Sequence, residues 1–222
     1  MPRRRMNVLS AISLFIWIGS STGAAAGDPA GSNEADRLFA LAKSHWAEST
    51  SPYVEQLLQR ALALREALLP EADPRVAQAE DQLARVYFNR GLLNRNLAEF
   101  QRAQALFAKA ASGVRQSLGP ENLTLADYLG DLGASLREQG RYTEAILNVC
   151  MSLRIRRSLL PADAPVLAAS LINLSRIASV QGKRPEAVKL MGDAQKLQQG
   201  MTGSDDPANE ALDAYCANSL MS

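Results

Sequence analysis

The sequence predicts an all-α fold built as a solenoid of stacked helical hairpins. Alanine and leucine dominate the chain and only 5% of its residues are aromatic, which favours helix over strand. A pattern also recurs with a fixed spacing of 42 residues, because Leu118 returns as Leu160 and Gly140 as Gly182. A constant period of this length is typical of stacked repeats. Two further pairs keep the same spacing: Ala126 with Ala168, and Ala145 with Ala187.

Residues 1–26 have the pattern of a secretory signal peptide. Arg3, Arg4 and Arg5 precede an apolar run at residues 8–19, and the small residues 24–26 suit signal peptidase. The alternative, an uncleaved membrane anchor, needs roughly 20 apolar residues, and this run is shorter. We therefore expect cleavage after Ala26 and a mature protein that is periplasmic or secreted, with no stable membrane span.

The composition is that of one folded domain, with 47% apolar and 21% charged residues among 222. Removal of the signal takes three arginines with it, so the formal net charge moves from +1 to −2. This balance gives no reason to expect binding to nucleic acid or to an anionic membrane.

A short linker at residues 27–32 leads into a degenerate first repeat at residues 33–69. Asn33 can cap its first helix, and Ser51 with Pro52 can begin its second, because proline is well tolerated in a first helical turn.

The second repeat, at residues 70–118, carries 7 extra residues after Gly91 when it is compared with the later copies. Seven residues are about two helical turns, so we expect each helix of this hairpin to be longer by roughly one turn. Residues 92–98 should then project from the stack, either as a contact surface or as a tolerated insertion. Regular copies follow at residues 119–160 and 161–201. A single helix within residues 202–222 is expected to cover the last apolar face.

The residues that recur at fixed positions resemble the tetratricopeptide repeat, in the 42-residue form of kinesin light chains and their bacterial relatives. Glu80 departs from the pattern, since the later copies have leucine there. The resemblance implies a right-handed superhelix whose concave wall is lined by the first helix of each pair. It is carried by Leu129, Leu132, Gly133, Leu136, Gly140, Tyr142 and Ala145, and by Leu171, Leu174, Ser175, Ala178, Gly182 and Ala187.

Small residues in this pattern predict close helix crossings. Gly133, Ala145 and Ala187 should lie where paired helices touch, while Leu132 and Tyr142 fill the space between hairpins.

Enzyme signatures are missing from the sequence, which has no phosphate-binding loop, nucleophile elbow or zinc-ligand spacing. We therefore expect no catalytic activity, metal or cofactor. His45 occupies a repeat position held by Tyr87 and Leu136, which favours a packing role. Cys150 and Cys216 should lie a full repeat apart, too far for a disulfide.

The polar residues of the first helices form the candidate binding site. Arg85 and Arg176 share one repeat position and could each hold a carboxylate with two hydrogen bonds. Asn173 matches an asparagine that, in the resembled family, often holds a ligand's main chain. The alternative is an ordinary solvated surface. The candidates are Gln78, Gln82, Arg85, Asn89, Asp127, Asp131, Arg137, Asn173 and Arg176, with Ala169 beside them.

Two functions fit these features. The first is an exported protein-interaction module, an adaptor or chaperone-like scaffold that binds a peptide or a partner's helix in its groove. The alternative is a structural subunit of a cell-envelope assembly that uses the convex face, the inserted hairpin or the terminal helix. The arginines of residues 154–157 are explained in either case by the dipole at a helix C-terminus.

Overall fold

The chain forms a row of antiparallel helix pairs in a computed structural model that describes residues 29–161, 165–199 and 215–217. Helix α1 packs on α2, α3 on α4, α5 on α6 and α7 on α8, and each pair contacts the next. No strand occurs in these ranges, and the predicted all-α hairpin solenoid is confirmed. The helices are α1 Pro29–Ser44, α2 Pro52–Leu68, α3 Pro74–Asn94, α4 Leu97–Leu118, α5 Leu123–Glu138, α6 Tyr142–Leu159, α7 Val166–Val180 and α8 Arg184–Gln198, with a 3-10 helix at Trp46–Glu48.

Side-chain caps fix several helix starts. Ser51 accepts a hydrogen bond from the backbone N–H of Val54 at the start of α2, as predicted. Asp73 and Asn122 cap α3 and α5 in the same way. Residues 29–32 are helical and belong to α1, so they are not a linker, and Asn33 lies inside this helix instead of capping it.

The predicted close crossing at Gly133 is confirmed. A Cβ atom on Gly133 would lie 2.6 Å from a Val149 methyl group and 3.1 Å from the Ala145 carbonyl oxygen. One repeat later the same position is Ser175, whose hydroxyl donates to the carbonyl oxygen of Ala187 over 2.8 Å. Helices α5 and α6 therefore approach more closely than any larger side chain would allow.

The α3–α4 hairpin is longer than its successors. Helices α3 and α4 have 21 and 22 residues, against 16 in α5 and 18 in α6, in agreement with the expected extension. The repeat pattern matches Gly91 with Gly140 and Gly182, which lie in turns with φ of 77° and 78°, but Gly91 does not lie in a turn. It lies inside α3, where a Cβ would come within 2.8 Å of the Phe100 ring. Arg95 takes the left-handed conformation instead, at φ 51°.

A disulfide joins Cys150 on α6 to Cys216, and the expectation that these residues are too far apart is wrong. Their Cα atoms are 5.9 Å apart. The expectation assumed that the terminal segment stacks beyond α8, whereas the described residues 215–217 reach back to α6, and Tyr215 packs against the main core. The rest of the predicted terminal helix lies outside the described residues, as does the predicted signal peptide.

None of the helices that the structure describes is both long and apolar enough to cross a membrane.

Candidate functional site

Predicted site residues from three successive repeats meet on one surface, which we call the first-helix face and define by α3, α5 and α7. Arg85 on α3 donates to the Asp131 carboxylate on α5. Arg137 on α5 donates to the side-chain oxygen of Asn173 on α7 over 3.1 Å. Hydrogen bonds between first helices therefore make this face continuous.

The guanidinium of Arg85 is partly engaged within the chain. Its Nε lies 3.0 Å from an oxygen of Asp81, and its Nη2 contacts Asp131. Asp81 was missed by sequence reasoning, although it is buried with 5% of its side chain exposed and also accepts from Gln82. Two of its three nitrogens are thus engaged by aspartates within the chain, while 38% of the side chain stays exposed.

Burial governs the electrostatics around this arginine. Burial raises the pKa of Asp131 to about 6, and the neighbouring Asp81 and Asp127 add to the rise while Arg85 opposes it. Burial also raises the pKa of Asp81. For Arg85, burial acts to lower the pKa, but the carboxylates of Asp131 and Asp81 outweigh it and the net pKa is raised. Arg85 thus stays charged and anchors the carboxylates.

Arg156 is a buried arginine that sequence reasoning did not place in the site. Its Nη2 donates to Asp127 over 2.7 Å and its Nη1 donates to the hydroxyl of Ser170 over 2.8 Å. Arg156 therefore joins α6 to α5 and α7. This role goes beyond the favourable interaction of a cation with the dipole at a helix C-terminus. A signal was present in the sequence, because Arg156 lies 42 residues after Val114, a fully buried apolar position.

Two further candidates serve contacts between helices. Arg137 has 9% of its side chain exposed and donates to both Asn173 and Glu138, so the oxygen of the Asn173 amide is already used. Asn89 donates to the Ser49 hydroxyl over 3.3 Å, which ties α3 to the chain just before α2.

Four of the predicted site residues are exposed: Gln78, Asp127, Ala169 and Arg176. Of these, Asp127 is already bonded to Arg156. Among the described residues, the Arg176 side chain makes no hydrogen bond or ion pair. Arg176 is therefore the arginine of the predicted pair whose guanidinium has no partner among the described residues.

His45 packs at the end of α1. Its ring meets Tyr53 edge-on with centroids 5.4 Å apart, and its Nδ1 lies 3.0 Å from the Leu41 carbonyl oxygen. These contacts agree with the predicted packing role. In the ranges that the structure describes, no group of three histidine, cysteine, aspartate or glutamate side chains could hold a metal ion.

The tetratricopeptide repeat family matches the chain over residues 82–158. This segment consists of tetratricopeptide repeats. The chain is similar in structure to BtubC (BKLC) from P. vanneervenii, with 20% identity and a TM-score of 0.65. The match covers 76% of this chain and 65% of that protein. A Podosopora anserina protein of nearly identical kinesin-light-chain TPR-like repeats is similar over 86% of this chain and 87% of its own, at 20% identity and a TM-score of 0.64. No curated protein matches the chain.

At this level of identity the solved structures show the fold. Tetratricopeptide repeats generally mediate protein–protein interaction, and proteins built from them are typically scaffolds without catalytic activity.

Proposed function

We propose that the protein is an exported interaction module, an adaptor or chaperone-like scaffold that holds a peptide or a partner's helix on the first-helix face. The observation that carries the proposal is the continuity of that face. Arg85 with Asp131 and Arg137 with Asn173 join three successive first helices, so a long segment of a partner could lie across them.

Affinity on this face would come from the side chains that the fold leaves free. The contacts of Arg85, Arg137 and Arg156 with neighbouring helices hold the surface rigid, which lowers the ordering cost of binding. Arg176 supplies a guanidinium for a partner carboxylate, and the small Ala169 leaves room beside α7 for a partner's backbone.

Export is supported by two independent features. The arginines and apolar run of residues 1–19 suit a secretory signal, and the Cys150–Cys216 disulfide suits an oxidising compartment.

The test is a pull-down from envelope extract with residues 27–222, followed by affinity measurement with the purified partner. The double variant Ala169→Trp with Arg176→Ala blocks the open part of the face and removes its free guanidinium. We expect at least about a tenfold loss of affinity. The control variant, Gln195→Trp with Lys189→Ala, also introduces a tryptophan and removes one positive charge, at exposed positions on α8, and should bind as the wild type does. Equal binding by all three proteins would contradict the proposal.

The second candidate function, a structural subunit of an envelope assembly, is favoured by the tip of the α3–α4 hairpin. Leu92, Leu93 and Leu97 are 48%, 70% and 53% exposed there. Exposed leucines clustered in this way are typical of contact surfaces. Leu93→Ser with Leu97→Ser would abolish association in this case, while the double variant on α7 would retain it.

A further inference from the structure

Glu80 is a buried acid without a partner. It lies on α3 with 6% of its surface exposed, and within the described part of the chain it makes no hydrogen bond and no ion pair. The corresponding residues of the next two repeats are Leu129 and Leu171, which are 3% and 4% exposed. The second repeat therefore places a carboxylate where its successors place core leucine.

The carboxylate faces away from the first-helix face. Gln78 and Gln82 are each two residues from Glu80, and two residues correspond to a rotation of about 200° around an α-helix. Glu80 instead lines a cavity of about 350 Å³ between the end of α2, α3 and α4. This volume is within the range of small-ligand pockets, about 300 to 1,000 Å³.

The walls of the cavity carry more negative than positive charge. Glu66 on α2 and Glu71 in the loop before α3 join Glu80, and Lys109 on α4 is the one lysine or arginine of the lining. Burial raises the pKa of Glu80 to about 7, Lys109 opposes the rise, and Glu66 and Glu71 add to it. A buried carboxylate in acidic surroundings is costly to ionise unless a cation reaches it.

Part of the lining is apolar or lacks a side chain. Val76 is buried on one wall, and Gly113 of α4 has no atom but backbone to present on the other. An aliphatic stem could contact these walls while its charged end meets Glu80. The described residues hold no group of three carboxylate, histidine or cysteine ligands suited to a metal ion, so the chemistry favours an organic cation.

We propose that this pocket binds an organic cation, an ammonium or guanidinium group on an aliphatic stem, with Glu80 as its buried counter-ion. Such a group is carried by a lysine or arginine side chain of a partner protein and also by free alkylamines. The site lies on the opposite side of α3 from the first-helix face. Cation binding in this pocket and partner binding on the first-helix face can therefore be tested separately, and either can fail without the other.

The experiment is an NMR titration of residues 27–222, in which the backbone amide of Gly113 reports on the pocket. Three probes are used: the capped peptide Ac-Ala-Ala-Lys-Ala-Ala-NH2, its norleucine analogue, and n-pentylammonium chloride. We expect the lysine peptide or the alkylammonium to shift this resonance in a saturable way, and the norleucine peptide to leave it unmoved. If only the alkylammonium acts, the cation is a free amine; if the peptide acts too, a protein side chain can enter.

Substitutions assign the binding to Glu80. Glu80→Gln keeps the shape of the side chain and should weaken binding at least about tenfold. Lys109→Met removes the competing internal cation and should strengthen binding several-fold. Glu186→Gln, at an exposed position on α8, makes the same charge change far from the pocket and should have no effect. No shift with either cation, or equal binding by wild type and Glu80→Gln, would overturn the proposal.

Discussion

The guanidinium of Arg85 on α3 donates to the carboxylate of Asp131 on α5 and at the same time holds Asp81, so one side chain connects two successive hairpins. We expect Arg85→Ala to lower the free energy of unfolding by about 1 to 3 kcal/mol, because Asp81 would be left buried without its counter-ion. Urea unfolding at neutral pH measures this loss.

The matched control is Arg176→Ala at the same repeat position on α7. Arg176 is exposed, so its removal should change stability by no more than about 0.5 kcal/mol. Equal losses in the two variants would show that the contacts of Arg85 contribute little. Arg176 is also the better position for the binding test. Loss of binding in an Arg85 variant could result from a changed conformation of the first-helix face and not from loss of a contact with the partner.

The close crossing of α5 and α6 predicts that replacing Gly133 by alanine destabilises the protein, which is the opposite of the usual effect of this substitution in a helix. Alanine is normally favoured over glycine inside a helix by about 1 kcal/mol. At Gly133 the added methyl group would lie 2.6 Å from Val149 and close to a backbone oxygen, so we expect Gly133→Ala to destabilise by about 1 to 3 kcal/mol. Thermal unfolding followed by circular dichroism measures the change.

Gly192 on α8 provides the internal comparison. It is also helical, but apart from its own helix no atom of the described residues lies within 4 Å of the Cβ position, so Gly192→Ala should stabilise by about 0.5 to 1 kcal/mol. The same sign in both variants would show that helix propensity outweighs packing at Gly133.

The Cys150–Cys216 disulfide closes a sequence separation of 66 residues and holds the described terminal segment on α6. Loss of a native disulfide typically costs about 2 to 5 kcal/mol, largely because the unfolded chain gains freedom. We expect the double variant Cys150→Ser with Cys216→Ser to have a lower Tm than the oxidised wild type. Dithiothreitol should lower the Tm of the wild type to that of the variant and leave the variant unchanged. A wild type insensitive to reductant would contradict this contribution.

The fold was predictable because it follows from short-range patterns. The 42-residue period and the small residues at Gly133 and Ala187 fix which helices pair and where they touch, and these patterns are visible in sequence. The extension of the α3–α4 hairpin was also predictable, since 7 residues preserve the apolar face of each helix. The pairing of Cys150 with Cys216 was not, because it depends on where the chain returns after α8.

The position of the first-helix face was predictable from the sequence, but the hydrogen bonds and ion pairs of its side chains were less so. Helical phase placed Arg85 and Asp131 on one surface, but it cannot say whether a guanidinium is free or already bound. Burial decides that question. Arg156 and Asp81 belong to the site because each is buried beside an opposite charge.

Arg95 ends α3 in the left-handed conformation, with φ 51° and ψ 43°. This conformation costs an L-residue roughly 1 to 2 kcal/mol and costs glycine little. We expect Arg95→Gly to raise the free energy of unfolding by about 0.5 to 1 kcal/mol after the greater freedom of glycine in the unfolded chain is allowed for. Arg95→Ala relieves no backbone strain and should be neutral or destabilising. Stabilisation by alanine as great as that by glycine would point to loss of the arginine side chain as the cause.

Glu80 predicts how stability depends on pH. Its ordinary pKa is 4.5 and burial raises the folded-state pKa to about 7, so the folded protein binds this proton more tightly than the unfolded chain does. The stability that this proton supplies is present below about pH 4.5 and is lost as the pH rises through about 7, a loss of about 3 kcal/mol. Three other charged residues face the same cavity: Glu66 and Glu71 raise the pKa of Glu80 further, and Lys109 lowers it.

Glu80→Gln cannot ionise, so the difference in unfolding free energy between it and the wild type should grow in the variant's favour from about pH 4 to about pH 8. Glu80→Leu restores the residue type of the later repeats and should be the most stable of the three proteins at about pH 8, because it also buries apolar surface. Urea unfolding of the three proteins across this range tests the prediction. Parallel pH profiles for wild type and Glu80→Gln would show that Glu80 ionises freely, and the pocket would then lack the buried counter-ion from which its affinity for a cation is inferred.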